Sequence, residues 1–552
     1  MTTPQEAALY LAQEAGIPVN DSHPLTDYGN AERLVDANGQ DLRYLFAWHK
    51  WLAWDGRRWE VDADGEVMRR AKTTVRALYQ EATEAAQGAS AEPDDILRKQ
   101  YADIATTMLK WARKSESNRL LEAMIALARS EPTIAIAPAA LDADHFLFNC
   151  FSGTIDLRTG ELSPPTRDSM ITKLAPTEYD PTAQCPQWLA FLDRIMAGNQ
   201  ALIDFLKRSI GYSLTGVTTE HALFVLYGTG RNGKSTFLNT FLALMGDYAH
   251  QTPPDILMVR HWDTHPTERV LLHGIRYAPA IETQEGRQMD EVMTKELTGG
   301  DMVVARRMRE DFWQFFPTHH IWLATNHKPT IRGTDLGIWS RIRLIPFSVT
   351  IPLDEQDRSL ADKLKLEWPG ILDWAVQGCL EWQAQGLMEP PEVWQATSEY
   401  RDDMDVLGVF IADRCNVEEG ARSTSKELYD SYQAWSKATG EKTITKRDFG
   451  ARLLERGFRP GKGTKGIRLW RGIRLFDATE QAAMQSNMFA DDEETQIQIG
   501  GVTHATSYPP GGMTDPGISS PGGYIGEHAT HATHATHPIQ PPEETSNDEI
   551  VF

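Results

Sequence analysis

The chain has 552 residues, of which 41% are hydrophobic and 24% charged, an ordinary globular composition with room for two to four cored domains. No apolar run reaches the roughly 18–20 residues needed to span a bilayer, and the start "MTTPQEAALYLAQEAG" lacks the regions of a signal peptide, so a cytoplasmic protein without a membrane partner is expected. Cys150, Cys185, Cys379 and Cys415 form no CxxC pair, which excludes a cysteine-rich zinc ribbon and argues against a disulfide framework. The net charge of −22 does not exclude a nucleic acid: residues 475–552 hold twelve acids and no Lys or Arg, whereas residues 442–474 hold eleven Lys/Arg against two acids.

Residues 1–24 read as a flexible N-terminus and 25–185 as an α+β domain. Within it, aromatic-rich strands occupy residues 24–75, with hairpin turns expected at Trp54-Asp55-Gly56 and at Asp62-Ala63-Asp64-Gly65. Residues 66–130, rich in Ala, Leu, Arg and Glu, predict helix, and 147–168 predict a strand–turn–strand with Gly160 in the turn. Residues 186–215 read as helical, and from 223 to about 346 strand-like and helix-like runs alternate as in an α/β core assigned to 186–350. "WPGILDWAVQGCLEWQAQGL" (368–387) marks a helical subdomain at 351–420.

The basic stretch, assigned to 421–475, predicts a helix capped by Ser423 or Ser425 and carrying Leu428, Tyr432 and Trp435. A turn at Thr439-Gly440, a second helix from about Thr445 to Arg456, a Gly/Lys loop and a strand pair follow. This is the layout of a winged helix, in which Lys446, Arg447, Arg452, Lys462, Lys465 and Arg468 would face DNA phosphates; a role in protein packing alone is the alternative. Residues 476–552, rich in Gly, Pro, Ser, Thr and His, read as a disordered acidic tail.

Gly228-Thr229-Gly230-Arg231-Asn232-Gly233-Lys234-Ser235 satisfies G-x-x-x-x-G-K-[ST], between the strand-like "LFVLY" and a helix starting near Thr236. Backbone N–H groups of such a loop converge on phosphates, Lys234 reaches the β- and γ-phosphates, and Ser235 ligates Mg²⁺. ATP and Mg²⁺ are therefore the expected cofactors. "IRYAPAIETQEG" (275–286) supplies a strand ending in Glu282, with Glu285 three residues on, and "HIWLATNHKP" (320–329) supplies one ending in Asn326.

The order "GTGRNGKST", "IETQEG", "TKELTGGDMVVARRM", "IWLATNHKPTIRGTDLGIWSRIRLIPF" resembles superfamily 3 helicases. The resemblance is to the C-terminal helicase part of phage and plasmid primases, related to poxvirus-type primase–helicases, and covers roughly residues 25–475. It implies an AAA+-like ATPase core and a homo-oligomeric ring, commonly a hexamer, with ATP between neighbouring subunits. By motif, Lys234 and Ser235 are Walker A, Glu282 assisted by Glu285 is Walker B with Glu282 on the metal, and Asn326 is sensor 1. The arginine given in trans falls in "IRGTDLGIWSRIR", with Arg341 first and Arg332 and Arg343 behind it. The family's Trp-Arg-Arg is here Trp339-Ser340-Arg341. A hairpin around "RRMRED" would grip single-stranded DNA in the channel through Arg306, Arg307 and Arg309.

A primase would need clustered metal-binding carboxylates, and the candidate pair Asp62/Asp64 reads more simply as a turn. The expected function is thus a ring-forming replicative DNA helicase of a phage or mobile element, in a bacterial or phage-infected cell. The alternatives are a bifunctional primase–helicase and an ATP-gated origin-binding protein. A separate primase would then be a partner. In the tail, "HATHATHATH" (His528 to His537) reads as a low-complexity spacer. "QSNMF" (485–489) resembles a sliding-clamp docking peptide and is also consistent with an unused linker. "SNDEIVF" resembles the acidic-hydrophobic tip of bacterial single-strand-binding proteins, with a plain solubilising tail as the alternative.

Overall fold

A computed structural model describes residues 23–260, 267–281, 286–306, 311–333, 335–463, 466–477 and 479–480. The chain divides into units of residues 1–476 and 477–552. In the second, the Asp477 carboxylate accepts the N–H groups of Thr479 and Glu480, each at 2.9 Å. The histidine tract, "QSNMF" and "SNDEIVF" lie outside the described residues.

Among the described residues the first unit opens with α1 (Asp27–Asn38), then an antiparallel sheet of β1 (Leu42–Leu45), β2 (Lys50–Trp54) and β3 (Trp59–Val61). The turn at Asp55 forms as expected, with the Asp55 carboxylate accepting the N–H groups of Arg57 and Arg58 at 2.7 and 2.8 Å. The second expected hairpin turn is instead a helix start. Asp62 Oδ1 accepts Gly65 and Glu66 N–H at 2.8 and 2.7 Å, and Oδ2 accepts Val67 N–H at 3.0 Å. These bonds satisfy the first amides of α2 (Glu66–Ala91), while Asp64 pairs with Arg69. Helices α3 (Asp95–Ser115) and α4 (Asn118–Ala128) complete this part, whose core holds Leu34, Tyr44, Val75 and Met124.

An antiparallel meander of β4 (Leu147–Cys150), β5 (Gly153–Asp156) and β6 (Glu161–Ser163) follows, turning at Gly160 with φ 77°. Its Phe148 stacks on Tyr248 at 4.5 Å, so the meander shares its core with the segment that follows and not with α1–α4. Helices α5 (Pro186–Ile195) and α6 (Gln200–Leu214) replace the single helical run expected over 186–215. The break comes at Ala197 and Gly198, both at positive φ, and Asn199 caps α6.

The central sheet is parallel, in the order β12 (Ile342–Pro346), β7 (Leu223–Tyr227), β11 (His320–Thr325), β8 (Tyr277–Ile281). Side chains alternate along each strand, so Leu223 and Val225 enter one core while Phe224 and Leu226 enter the other. On β11, Ile321 and Leu323 divide from Trp322 and Ala324 in the same way. Both faces are covered, which is why these strands read as continuous apolar runs. Between them lie α7 (Lys234–Met245), α8 (Glu291–Thr298) and the antiparallel hairpin β9 (Val303–Arg306)–β10 (Phe312–Phe315); α9 (Leu336–Trp339) precedes β12.

Next come α10 (Leu360–Leu366), α11 (Trp368–Gln385) and α12 (Pro391–Met404). The final module comprises α13 (Val406–Arg414), β13 (Cys415–Asn416), β14 (Arg422–Thr424), α14 (Ser425–Thr439), α15 (Lys446–Glu455), β15 (Arg459–Lys462), β16 (Arg468–Arg471) and β17 (Arg474–Leu475). Thr424, not Ser423 or Ser425, caps α14, in a capping box with Glu427. Leu407 and Phe410 of α13 pack with Leu428, Tyr432, Trp435 and Phe449, so the module begins before the expected residue 421. Among the described residues no helix is long and apolar enough to cross a membrane.

Helix α6 crosses α11 at two glycines. A Cβ on Gly211 would lie 2.1 Å from Cys379 N, and one on Gly378 2.2 Å from Lys207 O. Gly211→Ala should therefore lower stability by about 2 kcal/mol or more. Gly88→Ala, inside α2 with nothing nearer than 4.0 Å, should raise it by about 0.5–1 kcal/mol. Urea unfolding of the two variants against wild type checks the pair.

Candidate functional site

The phosphate loop leaves the carboxyl end of β7 and enters α7. Gly230 and Gly233 have φ 104° and 85°, and Arg231 φ 52°, a run of left-handed positions that turns successive amides to one side. Gly228 has no room for a side chain: a Cβ would sit 2.3 Å from both Asn232 Nδ2 and Phe347 O. Above Gly230, by contrast, nothing lies within 4 Å of a Cβ position. No side chain caps α7, whose N-cap is Gly233, so its first amides face the loop's concavity. Thr229, Ser235 and Thr236 flank this opening in sequence, and Ser235 is exposed.

Lys234 is buried, and its Nζ donates to Gly228 O at 2.7 Å, Asn232 Oδ1 at 3.0 Å and Asn326 Oδ1 at 3.0 Å. Asn232 is fixed in turn by donating to Phe347 O at 3.2 Å. Burial pulls the Lys234 ammonium down to about 8. Asn326 can reach Lys234 because β11 lies directly beside β7, pairing Thr325 with Tyr227. Lys328, just beyond, pairs with Asp403 at 3.0 Å and lies 5.3 Å from the Tyr227 ring centre. Strand β8 ends at Ile281 opposite Ala324, and Glu282 and Glu285 lie outside the described residues.

The chemistry of this donor set fits a polyphosphate. Convergent amides, an uncapped helix start and an ammonium held, among the described residues, by neutral oxygens all favour an anion. Among the described residues no group of three or more His, Cys, Asp or Glu could hold a metal, and the four cysteines are buried and unpaired to one another.

The arginines expected to act in trans differ in environment. Arg341 precedes β12, its carbonyl accepts Leu223 N–H at 2.7 Å, and its Nη1 donates to Gly337 O at 2.6 Å. It therefore sits at the end of the sheet opposite its own phosphate loop. Arg343 is paired with Glu389. Arg332 is exposed, on a loop whose Arg332 and Gly333 amides donate to Glu291 Oε1 at 3.0 and 2.6 Å.

A second feature is a cleft of about 820 Å³ between α15 and the β15–β16 hairpin. Lys446, Arg447, Lys462 and Arg468 line it together with buried Trp470. Arg452 does not join them: its Nη2 donates to Arg332 O at 2.9 Å, on the other side of α15. Lys465 lies outside the described residues, as do Arg307 and Arg309, which fall between β9 and β10 in the sequence. At the base of that hairpin Arg306 lies 5.0 Å from the ring centre of Phe312, which is 62% exposed.

Family models match two segments, "D5 N terminal like" at residues 31–197 and "Poxvirus D5 protein-like" at residues 402–467. The second match starts just before α13, where the packing also begins the module. The chain is 24% identical over 426 residues to a protein of Acanthamoeba polyphaga mimivirus named as a putative helicase, covering 72% of this chain and 43% of the relative. A protein of Frog virus 3 with the same description is 23% identical over 269 residues, 45% of this chain and 27% of its own. The chain thus spans less than half the length of the curated relatives it matches. The solved apo structure of the NrS-1 C-terminal region covers 78% of this chain and 96% of its own at 9% identity, with a TM-score of 0.41.

Because folding lowers the Lys234 pKa from its ordinary 10.5 to about 8, the unfolded chain holds more protons between those values and stability rises with pH there. From pH 8 to 9.5, wild type should gain about 1–2 kcal/mol of stability relative to Lys234→Met, which has no proton to lose. Urea midpoints of the two proteins across that range measure it.

Proposed function

We propose that this D5-type chain is an ATP-driven, ring-forming DNA helicase motor, with an AAA+-like core of superfamily 3 type and a winged helix at residues 406–475. The observation that carries the reading is the Lys234–Asn326 contact across adjacent parallel strands, which puts a strand-end amide beside the phosphate-loop ammonium. The viral relatives' helicase names and the basic cleft on the C-terminal module support DNA as the partner.

In this reading ATP is the substrate, and water attacks its γ-phosphorus in line as the bond to the β–γ bridging oxygen breaks. The amides of residues 229–236 cradle the phosphates, and Lys234 exchanges its neutral acceptors for phosphate oxygens. Asn326, released from Lys234, is free to orient the attacking water. Glu282, with Glu285, orients the water by accepting its hydrogen bond, and the proton the water loses ends on the released phosphate. Mg²⁺, held at Ser235 and Glu282, would neutralise charge on the phosphates. Arg341 of one subunit offsets the charge developing at its neighbour's γ-phosphate, as a hexameric ring requires.

DNA takes two routes. Arg306, Arg307 and Arg309 of the β9–β10 hairpin contact single strands in the channel. Lys446, Arg447, Lys462, Lys465 and Arg468 contact duplex phosphates around the α15 cleft. Strands separate because the hairpin moves with the ATPase cycle while the strand it grips is drawn through the ring.

Lys234→Ala should abolish ATP hydrolysis and strand displacement while the far-ultraviolet spectrum is retained. Arg341→Ala should bind nucleotide but not turn it over, and mixing it with Lys234→Ala subunits should restore part of the activity. Normal turnover by Lys234→Ala, measured as phosphate release, would remove the site. Hydrolysis without strand displacement in wild type would leave an ATP-gated DNA-binding protein. Arg447→Ala and Lys462→Ala should each weaken duplex binding similarly for all sequences and lower the salt slope by about 1.

A further inference from the structure

The cleft lined by Lys446, Arg447, Lys462 and Arg468 and the segment bearing Arg341 are joined by one side chain. Arg452 projects from the side of α15 away from that cleft and donates Nη2–H to Arg332 O at 2.9 Å. The contacted loop is held on its other flank by Glu291, which accepts the Arg332 and Gly333 amides. Gly333 O then accepts Trp339 Nε1–H at 3.0 Å, Trp339 packs edge-on to Tyr400 at 5.2 Å, and Gly337 O in the same turn accepts Arg341 Nη1–H at 2.6 Å.

We infer that Arg452 is a positioning residue that transmits DNA occupancy of the α15 cleft to the 332–341 segment, and through it to Arg341. The inference rests on the proposed DNA contact at the cleft, and on the ATPase reading only for its effect on turnover. The link is short and polar. A shift of α15 on binding phosphates moves the Arg452 guanidinium, and the carbonyl it holds begins a chain of fixed contacts ending on Arg341. Beside Arg452, Arg456 pairs with Asp405, the residue that caps α13 by accepting Gly408 N–H at 2.9 Å. Burial alone would raise the Asp405 carboxyl, yet the Arg456 hydrogen bond, the Gly408 amide and the charges of Arg456 and Arg452 hold it below the usual carboxylate range. The ion pair therefore remains formed at neutral pH and anchors α15 to α13, leaving Arg452 as the contact from α15 to the 332 carbonyl.

The test uses the full chain with a saturating DNA duplex and reads two quantities, amide hydrogen exchange of residues 330–341 and DNA-stimulated ATP hydrolysis. In wild type, DNA should alter exchange in that segment. Arg452→Ala should remove this response and lower DNA stimulation about 5-fold or more, while DNA affinity, its salt slope and DNA-free turnover stay at the wild-type level. Arg452→Lys, which keeps a donor for the carbonyl, should recover part of both responses. Arg447→Ala should lose affinity instead, yet show the full exchange response once saturated. Loss of affinity and salt slope in Arg452→Ala equal to that of Arg447→Ala would make Arg452 a phosphate contact and overturn the inference. An unchanged segment in DNA-saturated wild type would overturn it too. A wild-type chain that shows the exchange response but hydrolyses no ATP would remove the ATPase reading and leave the link standing.

Discussion

The arrangement at the phosphate loop follows from burying one ammonium. Lys234 has three donors and almost no water, so it needs three acceptors, and they come from three places: Gly228 at the end of β7, Asn232 within the loop, and Asn326 after β11. The third can be supplied only if β11 runs parallel and adjacent to β7, which is what the order β12-β7-β11-β8 provides. All three acceptors are neutral, so they satisfy the ammonium without matching its charge. Anionic oxygens can therefore displace them, so the contact that holds the loop in shape is also compatible with phosphate.

Around that contact, the two-sided core fixes what each strand residue does. A substitution on β7 or β11 disturbs one face or the other by its parity, because Phe224 and Trp322 stack at 4.3 Å on one side while Val225 and Leu323 pack on the other. Helix α5 enters the same balance from beneath the loop: a Cβ on Gly233 would meet Ile195 Cγ2 at 2.6 Å. Gly233 is thus required twice, for its positive φ and for the approach of α5. The motif's spacing reveals the first reason and nothing of the second.

Local signals were enough for the phosphate loop, the strands after it, the β9–β10 hairpin and the helices at 425–439 and 446–455, because turn residues, caps and apolar runs determine them at short range. Four features were not legible, each for a physical reason. "DADG" supports a hairpin turn or a helix start equally, and the following helix α2 decides which amides Asp62 caps. Helix α13 is a short run, "VLGVFIADR", with no clear polar face, and its packing partners lie up to Ile473 in the chain. Arg452 was grouped with the other cations by proximity in sequence. Six positions beyond Lys446 on a helix, it is rotated by about 240°, which aims it at the Arg332 carbonyl instead of the cleft. Asn232 was named as one member of the loop, but its double role, accepting from Lys234 and donating to Phe347 O, needed the folded strands.

The three arginines between Asn326 and Phe347 are separated by how much of their charge is already committed. Arg343 is paired with Glu389 within its own chain, so recruiting it for a neighbour's phosphate would first strand a half-buried carboxylate. Arg332 has no ion-pair partner among the described residues but is exposed, and immobilising a long, solvated side chain opposes its use. Arg341 lies between these extremes. Its Nη1 is held by a neutral carbonyl, its Nε is buried without a partner, and no carboxylate lies within ion-pair distance of it among the described residues. Such a guanidinium has no carboxylate already matched to it among the described residues, while much of its freedom is already lost. An anion arriving from outside the subunit therefore gains the electrostatic interaction without having to order the group that provides it.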